Sequence, residues 1–511
     1  CYYDHNDIFK SKYLRRYKKL CNFIKYYHNM PITLPGDKEF EKRPSIERKA
    51  LKINLNDRIY GTFAEIGAGQ EVARHFFRVG GASGTIAKTI SAYDKNFSDT
   101  IYGEEDDGRY VTETRLHKML EREIMLLETR IPRANHPDKM FFAYANTVAT
   151  IDFAKKYKGH GWMGIRYQIA PEQPFNEIMI HLRFHQTEAR LQQEAVGIMG
   201  VNLVYGAFYN HDEPKKIIKH LYDHIDNTAI EIDTINFSGP VFNGVDNRLL
   251  SLLLLKNDMT DAVMFNPEGN NILPARVLYK KNILVLRGSF RPVTKVNIDM
   301  FRKSYDIFIK EQNVDEKKTE VIFEITLSNL TSQGEIDESD FMDRAKLLCS
   351  LGHTVMISDF KEYYKMVDYL SEYTKEQIGL TMGVSNFVEI FDEQYYKDVK
   401  GGILEAFGKM FHNNLKVYLY PMKNSETGEI VNSNNLKLHP RMKDFYKFFK
   451  YNGKVVDIFD YESEYLSIFS REILSKIKKG KNGWKDQLPE GIAEMIMKNQ
   501  MFGWKEKKVK G

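Results

Sequence analysis

Three cysteines in 511 residues, Cys1, Cys21 and Cys349, leave no material for a disulfide framework, and none falls in a CxxC or Cys/His spacing that would hold structural zinc. Long apolar runs are also missing. The strongest, Leu249 to Leu255, is far too short to cross a bilayer, and the start of the chain has neither the apolar core nor the small-residue cleavage site of a signal peptide. Charge of one sign is lacking too: 74 basic against 69 acidic residues give a net +5, spread along the chain except at its ends, which is no footprint for a nucleic-acid partner. These absences predict a cytoplasmic protein with no membrane or nucleic-acid partner and no metal site of its own.

What is present fits large cores: 42% hydrophobic and 13% aromatic residues argue against long disorder, and 511 residues exceed what one core serves. The reading divides the chain into an extension and linker (1–50), an N-terminal α/β or α+β domain (51–275) and a second α/β domain (276–511). Residues 1–29 are basic and aromatic, suited to a short amphipathic helix, and Met30 is an expected start. Pro31 to Pro44 reads as a linker. No period of 20 to 50 residues recurs, which excludes a solenoid or propeller.

In the first domain a helix is expected over His117 to Thr129, strands over Met179 to Phe184 and Thr228 to Ile232, and a closely packed helix over Glu188 to Tyr209, whose Gly197, Gly200 and Gly206 give neighbours room. Asp246 is placed at the start of the apolar helix that follows it. After Pro274 short β-rich runs alternate with helices: Ile283 to Leu286, Val321 to Leu327, Thr354 to Ser358, Ile378 to Met382 and Val417 to Tyr420. That order predicts a mostly parallel, doubly wound sheet with ligands at the carboxyl ends of its strands.

The most informative segment runs from Ile283 to Thr294, a buried strand leading straight into Gly288-Ser289-Phe290-Arg291-Pro292 and then a helix. Glycine lets an anion approach the main chain, proline fixes the loop, and the helix N-terminus offers free N–H groups and a positive dipole end. Arg287, Arg291 and Lys295 add cations around this phosphate cradle.

Gly288-Ser289-Phe290-x-Pro292-x-Thr294, with Met300-Phe301 following, resembles the first-strand motif of nicotinamide mononucleotide adenylyltransferases. A second segment, Ile468-Phe469-Ser470-Arg471-Glu472-Ile473 through Gly480 to Leu488-Pro489 and Met501-Phe502, is similar to that family's closing phosphate-binding motif. Gly383 stands where the family has Gly-Ala-Asp, with Ser385 in place of the Asp. The resemblance covers about the last 230 residues and implies a Rossmann-like nucleotidylyltransferase domain, with ATP and Mg2+ as cofactors and a mononucleotide as the second substrate.

It further implies that Gly288, Ser289, Phe290, Pro292, Gly383, Ser385 and Ser470 bind nucleotide and that Thr294, Asn297 and Arg471 are the catalytic positions. The departures are as definite as the matches. Asn297 replaces a His that supports transition-state charge, and loss of one charged stabiliser costs on the order of 100-fold in rate. Arg471 replaces the closing motif's Thr and Leu474 its Arg. The expected function is therefore adenylyl transfer to a mononucleotide with release of pyrophosphate. The alternative is a catalytically degenerate nucleotide-binding or self-assembling protein. A homo-oligomer is expected from the aromatic run Phe445, Tyr446, Phe448, Phe449 and Tyr451.

The whole chain also resembles a bacterial family that joins such an N-terminal region to this domain, which implies no function for the first half. Phe63 to Gln70 superficially resembles the glycine-rich motif of S-adenosylmethionine methyltransferases. Because the motif should end a buried strand, yet Asn54 to Gly61 is polar and no acidic residue closes a following strand, that likeness is set aside. Gly80 to Thr85 is read as a phosphate-binding loop or a flexible turn before a helix. His181 and His185, on one face of a strand, lie roughly 13 Å apart and do not share a metal.

Overall fold

The computed structural model describes residues 43–505 apart from 107, 227, 333–334 and 413, so the basic N-terminal stretch, Met30 and most of the expected linker lie outside the described residues. The first described helix is Ile46–Asn54, whose N-cap Ser45 accepts from the Arg48 amide and whose Ile46, Ala50 and Ile53 enter the first core.

That core is built on a six-stranded sheet of β1 (Ile59–Gly67), β2 (Ile86–Ser91), β3 (Met140–Ala149), β4 (His160–Tyr167), β5 (Asn176–Phe184) and β6 (Ile230–Ser238), in the order β2-β1-β3-β4-β5-β6. β2, β1 and β3 run parallel; the pairs from β3 to β6 are antiparallel. Alternation along β1 sends Phe63 to one face, against helices Gln70–Arg78 and Ala189–Tyr209, and Ala64 and Ile66 to the other, against helix Glu113–Arg130. The polar stretch before the strand is a helix end and turn, and β1 itself is buried almost throughout. Gly80 to Gly84 leads into strand β2, not a helix, which corrects that expectation.

The second sheet has eight strands in the order β18-β15-β14-β9-β10-β13-β7-β8. They are β7 (Ala262–Phe265), β8 (Asn271–Ile272), β9 (Asn282–Arg287), β10 (Thr319–Thr326), β13 (Thr354–Ser358), β14 (Ile378–Gly383), β15 (Leu415–Tyr420) and β18 (Val455–Asp457). Two short ribbons, β11 (Thr331–Ser332) with β12 (Glu335–Ile336) and β16 (Met422–Lys423) with β17 (Ile430–Val431), stand apart. β7 and β8 precede residue 276 yet join this sheet, antiparallel at its edge.

The other six strands are parallel and, counted along the chain, lie 6-5-4-1-2-3, a doubly wound arrangement. Helices cover both faces, as such a sheet requires: Ile283 and Val285 face helices Tyr363–Tyr373 and Gly402–Phe411, while Leu286 and Phe323 face Glu338–Ser350 and Ser470–Lys478. The chain is thus mixed α/β. Of the aromatic run, Tyr446 and Phe449 are buried against Phe407 and Phe391, while Phe448 and Tyr451 are exposed. Among the described residues no helix is long and apolar enough to cross a membrane.

The glycines of helix Ala189–Tyr209 permit the close approach expected of them. A Cβ on Gly200 would lie 2.5 Å from a Val72 methyl and 2.8 Å from the Tyr144 hydroxyl, and one on Gly197 2.6 Å from Glu71 Cβ. Gly200→Ala should therefore destabilise the protein by about 1–3 kcal/mol through overpacking. The check is the urea midpoint, which falls with unchanged slope; an unmoved midpoint would contradict the close packing.

Candidate functional site

In a doubly wound sheet the ligand crevice opens where strand order reverses, here between β9 and β14. These strands pair directly, Ile283 with Ile378 and Leu286 with Thr381, so their carboxyl ends deliver Gly288 and Gly383 to the same edge. Two of the three segments singled out in the sequence are brought together in this way.

The loop after β9 is held from below. Gly288 donates its N–H to the Glu324 carbonyl (3.1 Å), and the Arg344 guanidinium donates to the carbonyls of Ser289 (3.1 Å) and Asn329 (2.8 Å). Phe290 adopts a positive φ of 44°, and its ring is buried 5.4 Å from that of Phe323. A Cβ on Gly288 would meet the Phe290 ring at 2.9–3.2 Å, so this glycine makes room for Phe290 instead of for a ligand. Pro292, joined to Arg291 by a cis bond, and Val293 are buried, Val293 in the same apolar cluster as Phe290.

Thr294 starts helix Lys295–Phe308, and its N–H and hydroxyl both donate to Asn297 Oδ1, at 3.0 and 2.9 Å. Two of the three predicted catalytic residues thus bond to each other as a cap, which leaves the Asn297 NH2 as the donor side of the amide. At Gly383 a Cβ would meet nothing within 4 Å, so the main chain there is open to a ligand. Ser385, exposed in the helix that follows, lies 3.0 Å from the Met422 sulfur. Ser470 and Arg471 begin helix Ser470–Lys478, with Arg471 exposed. Ile473 and Ile477 of that helix pack in the same cluster as Phe290 and Val293, so the third segment reaches the loop through apolar contact.

The electrostatics are more balanced than the sequence suggests. Arg287 does not face the crevice as a free cation: it grips Glu324 with two hydrogen bonds (2.6 and 3.0 Å), donates to the Lys361 carbonyl and stacks 4.5 Å from the centre of the Tyr363 ring. Ser358 also donates to Glu324, and burial pushes the Tyr363 hydroxyl up to about 12. Arg291 (2.5 Å) and Arg344 share one carboxylate, Asp340, with Asp337 also acting on Arg344. Lys295 lies 5.9 Å from the Tyr465 ring centre. Arg344, Asp340, Glu324 and Tyr363 escaped the sequence reading because each lies on a helix or strand whose local pattern signals only core. Among the described residues no cluster of His, Cys, Asp and Glu forms a metal cage.

The N-terminal sheet has a similar device. β1 ends in Gly67-Ala68-Gly69 and runs into helix Gln70–Arg78, beside β3. Asn146 Nδ2 holds the Ala68 carbonyl (2.5 Å), and a Cβ on Gly69 would overlap the Asn146 amide. Glu65 lies inside the same strand, buried, with the Thr89 hydroxyl 3.5 Å away. A groove of about 1070 Å3 opens on this half between Tyr102, Met125 and Phe175, away from both glycine turns.

No protein-family model and no curated protein matches the sequence, so the adenylyltransferase resemblance rests on its motif residues. Among solved structures the chain is similar to competence/damage-inducible protein CihA from Agrobacterium tumefaciens (15% identity, 34% of this chain and 96% of that one, TM-score 0.23). It is also similar to a competence-damaged protein (CinA) superfamily member from Escherichia coli (13%, 35% and 93%, TM-score 0.21). Superposition at that level is too loose to carry any statement about fold or chemistry.

Burial pushes the Glu65 carboxyl up to about 7, against the smaller opposing effect of the Thr89 hydroxyl. The folded state therefore keeps a proton that the unfolded chain releases near pH 4.5, so the stability linked to Glu65 is present below that pH and is lost as pH rises to about 7. Its size is on the order of 3 kcal/mol. Glu65→Gln should flatten the fall in unfolding free energy between pH 5 and 8, and a slope identical to that of the native chain would rule this out.

Proposed function

We propose that the C-terminal half is a Rossmann-like nucleotidylyltransferase domain that binds ATP and a mononucleotide of the nicotinamide or nicotinate type across the crevice between β9 and β14. The observation that supports this reading best is the convergence at one sheet edge of the Gly288–Thr294 loop, leading into a fourteen-residue helix, with the open main chain at Gly383. Phosphates would lie toward that helix N-terminus and the Arg291/Arg344 pair, with Ser289 and Ser470 as hydroxyl donors. Transfer would form a bond from a mononucleotide phosphate oxygen to the α-phosphorus of ATP and break the bond to pyrophosphate. Most of that work is alignment and charge stabilisation, which falls to Lys295, the Asn297 NH2 and Arg471. Magnesium would arrive on the ATP phosphates, the usual mode for this ion, and would neutralise part of their charge.

A second reading, nucleotide binding or self-assembly without transfer, is favoured by the Thr294–Asn297 cap, which occupies the Thr294 hydroxyl and the Asn297 amide oxygen, two of the three predicted catalytic positions. Calorimetric titration with ATP and magnesium, then with nicotinamide mononucleotide, tests what the two readings share. Gly383→Glu, whose side chain enters open space, should weaken binding at least tenfold while leaving thermal unfolding unchanged. Absence of saturable binding by the native chain would sink the proposal. Binding without pyrophosphate release, unrestored by Asn297→His, would select the second reading.

A further inference from the structure

On the N-terminal sheet, three neighbouring strands place Asp233, His181 and His160 in line. β5 and β6 change register between His181 and Leu182, His181 pairing with Thr234 and Leu182 with Ile232, so Asp233 is the extra residue of a β-bulge. Bulges re-aim side chains. Here the Asp233 carboxylate, fully buried, meets His181 Nδ1 at 2.7 Å, and His181 Nε2 lies 3.2 Å from Nδ1 of His160, the first residue of β4. The second carboxylate oxygen of Asp233 is buried with no hydrogen-bond partner in the described structure, a costly state for a group with no structural task. The Trp162 ring packs 5.0 Å from His181.

Hydrogen bonding fixes the tautomers. A carboxylate only accepts, so His181 carries its proton on Nδ1 and its Nε2 is bare. His160, itself half-buried, must then donate from Nδ1, and its own Nε2 is the bare end of the chain. We propose that Asp233, His181 and His160 form a proton relay that makes His160 Nε2 the proton acceptor of a second site, one that takes water or the hydroxyl of an alcohol-bearing ligand and lies outside the nucleotide crevice. When an O–H proton passes to His160 Nε2, the Nδ1 proton moves to His181 Nε2. The positive charge then rests beside Asp233, and the oxygen keeps the electron pair as a nucleophile. Burial, the neighbouring His181, and the positive charges of Arg183 and Arg109 push His160 down to about 4, with Asp233 opposing, so the imidazole stays neutral across the physiological range.

Diethyl pyrocarbonate, which acylates only unprotonated imidazole, provides the test on the full chain at pH 5.5. An ordinary histidine is about nine-tenths protonated there, whereas His160 is neutral. Peptide mapping should show His160 acylated about tenfold faster than the exposed His136, and His181→Leu should abolish that preference. Labelling of His160 no faster than His136, or a preference that survives His181→Leu, would overturn the relay. Independently of whether the variant folds, 15N spectra of the native chain should show the His160 proton on Nδ1; a proton on Nε2 overturns it as well.

Discussion

Arg287 and Glu324 stand on adjacent parallel strands at the carboxyl edge of the second sheet, and the pairing of their charges decides what that edge can be. Both are buried, and a lone charge there would cost several kcal/mol, so each must keep the other. That requirement turns Arg287 sideways toward β10, draws in Ser358 from β13 and the face of Tyr363, and leaves the loop that follows without the cation nearest to it. The cation that does touch the loop is Arg344, a residue of a different helix, which shares Asp340 with Arg291. The carboxyl edge at β9 is therefore framed by a buried ion-pair network more than by the loop residues that follow it.

The two halves solve one backbone problem in two ways. Each has a buried strand followed at once by glycine and, after a turn or short loop, by a helix, next to a neighbouring parallel strand. In the second half the space beside Gly288 is filled by Phe290, and in the first the space beside Gly69 is filled by Asn146. Glycine at a strand-to-helix turn thus signals close packing as readily as ligand approach, and only the neighbour that fills the gap separates the two. Gly383, with nothing in front of it, leaves the main chain open at the carboxyl end of β14.

The alternation of short β-rich runs with helices made the second sheet legible, because parallel strands buried on both faces are nearly continuous apolar runs; all five predicted strands appear close to their expected bounds. Asp246 at the head of its helix and the glycines of helix Ala189–Tyr209 were legible for the same reason, since capping and close packing are local demands. The strand β1 was misjudged because the polar residues before it belong to a helix end and turn, and a window averaged across that boundary hides the strand. What the residues could not announce is pairing across the fold. Nothing in the sequence near Arg287 says that Glu324 will neutralise it, and nothing near His181 says that a bulge fifty residues later will turn Asp233 toward it.

The same logic joins the two sites through one element. Helix Tyr363–Tyr373 begins with Tyr363 stacked on Arg287 and bonded by Asn386 from the helix after Gly383. It ends with Glu372 and Tyr373, which hold Arg183 at 2.8 and 2.6 Å; Lys158 also reaches Glu372. Arg183 lies on β5 two residues beyond His181, pairs in register with His160, and bears on Glu231 and Asp233. One rigid helix therefore has its first turn in the frame of the crevice and its last turn against the strand that carries the relay. A shift of a packed helix moves both ends together, because close-packed interiors transmit displacement instead of absorbing it.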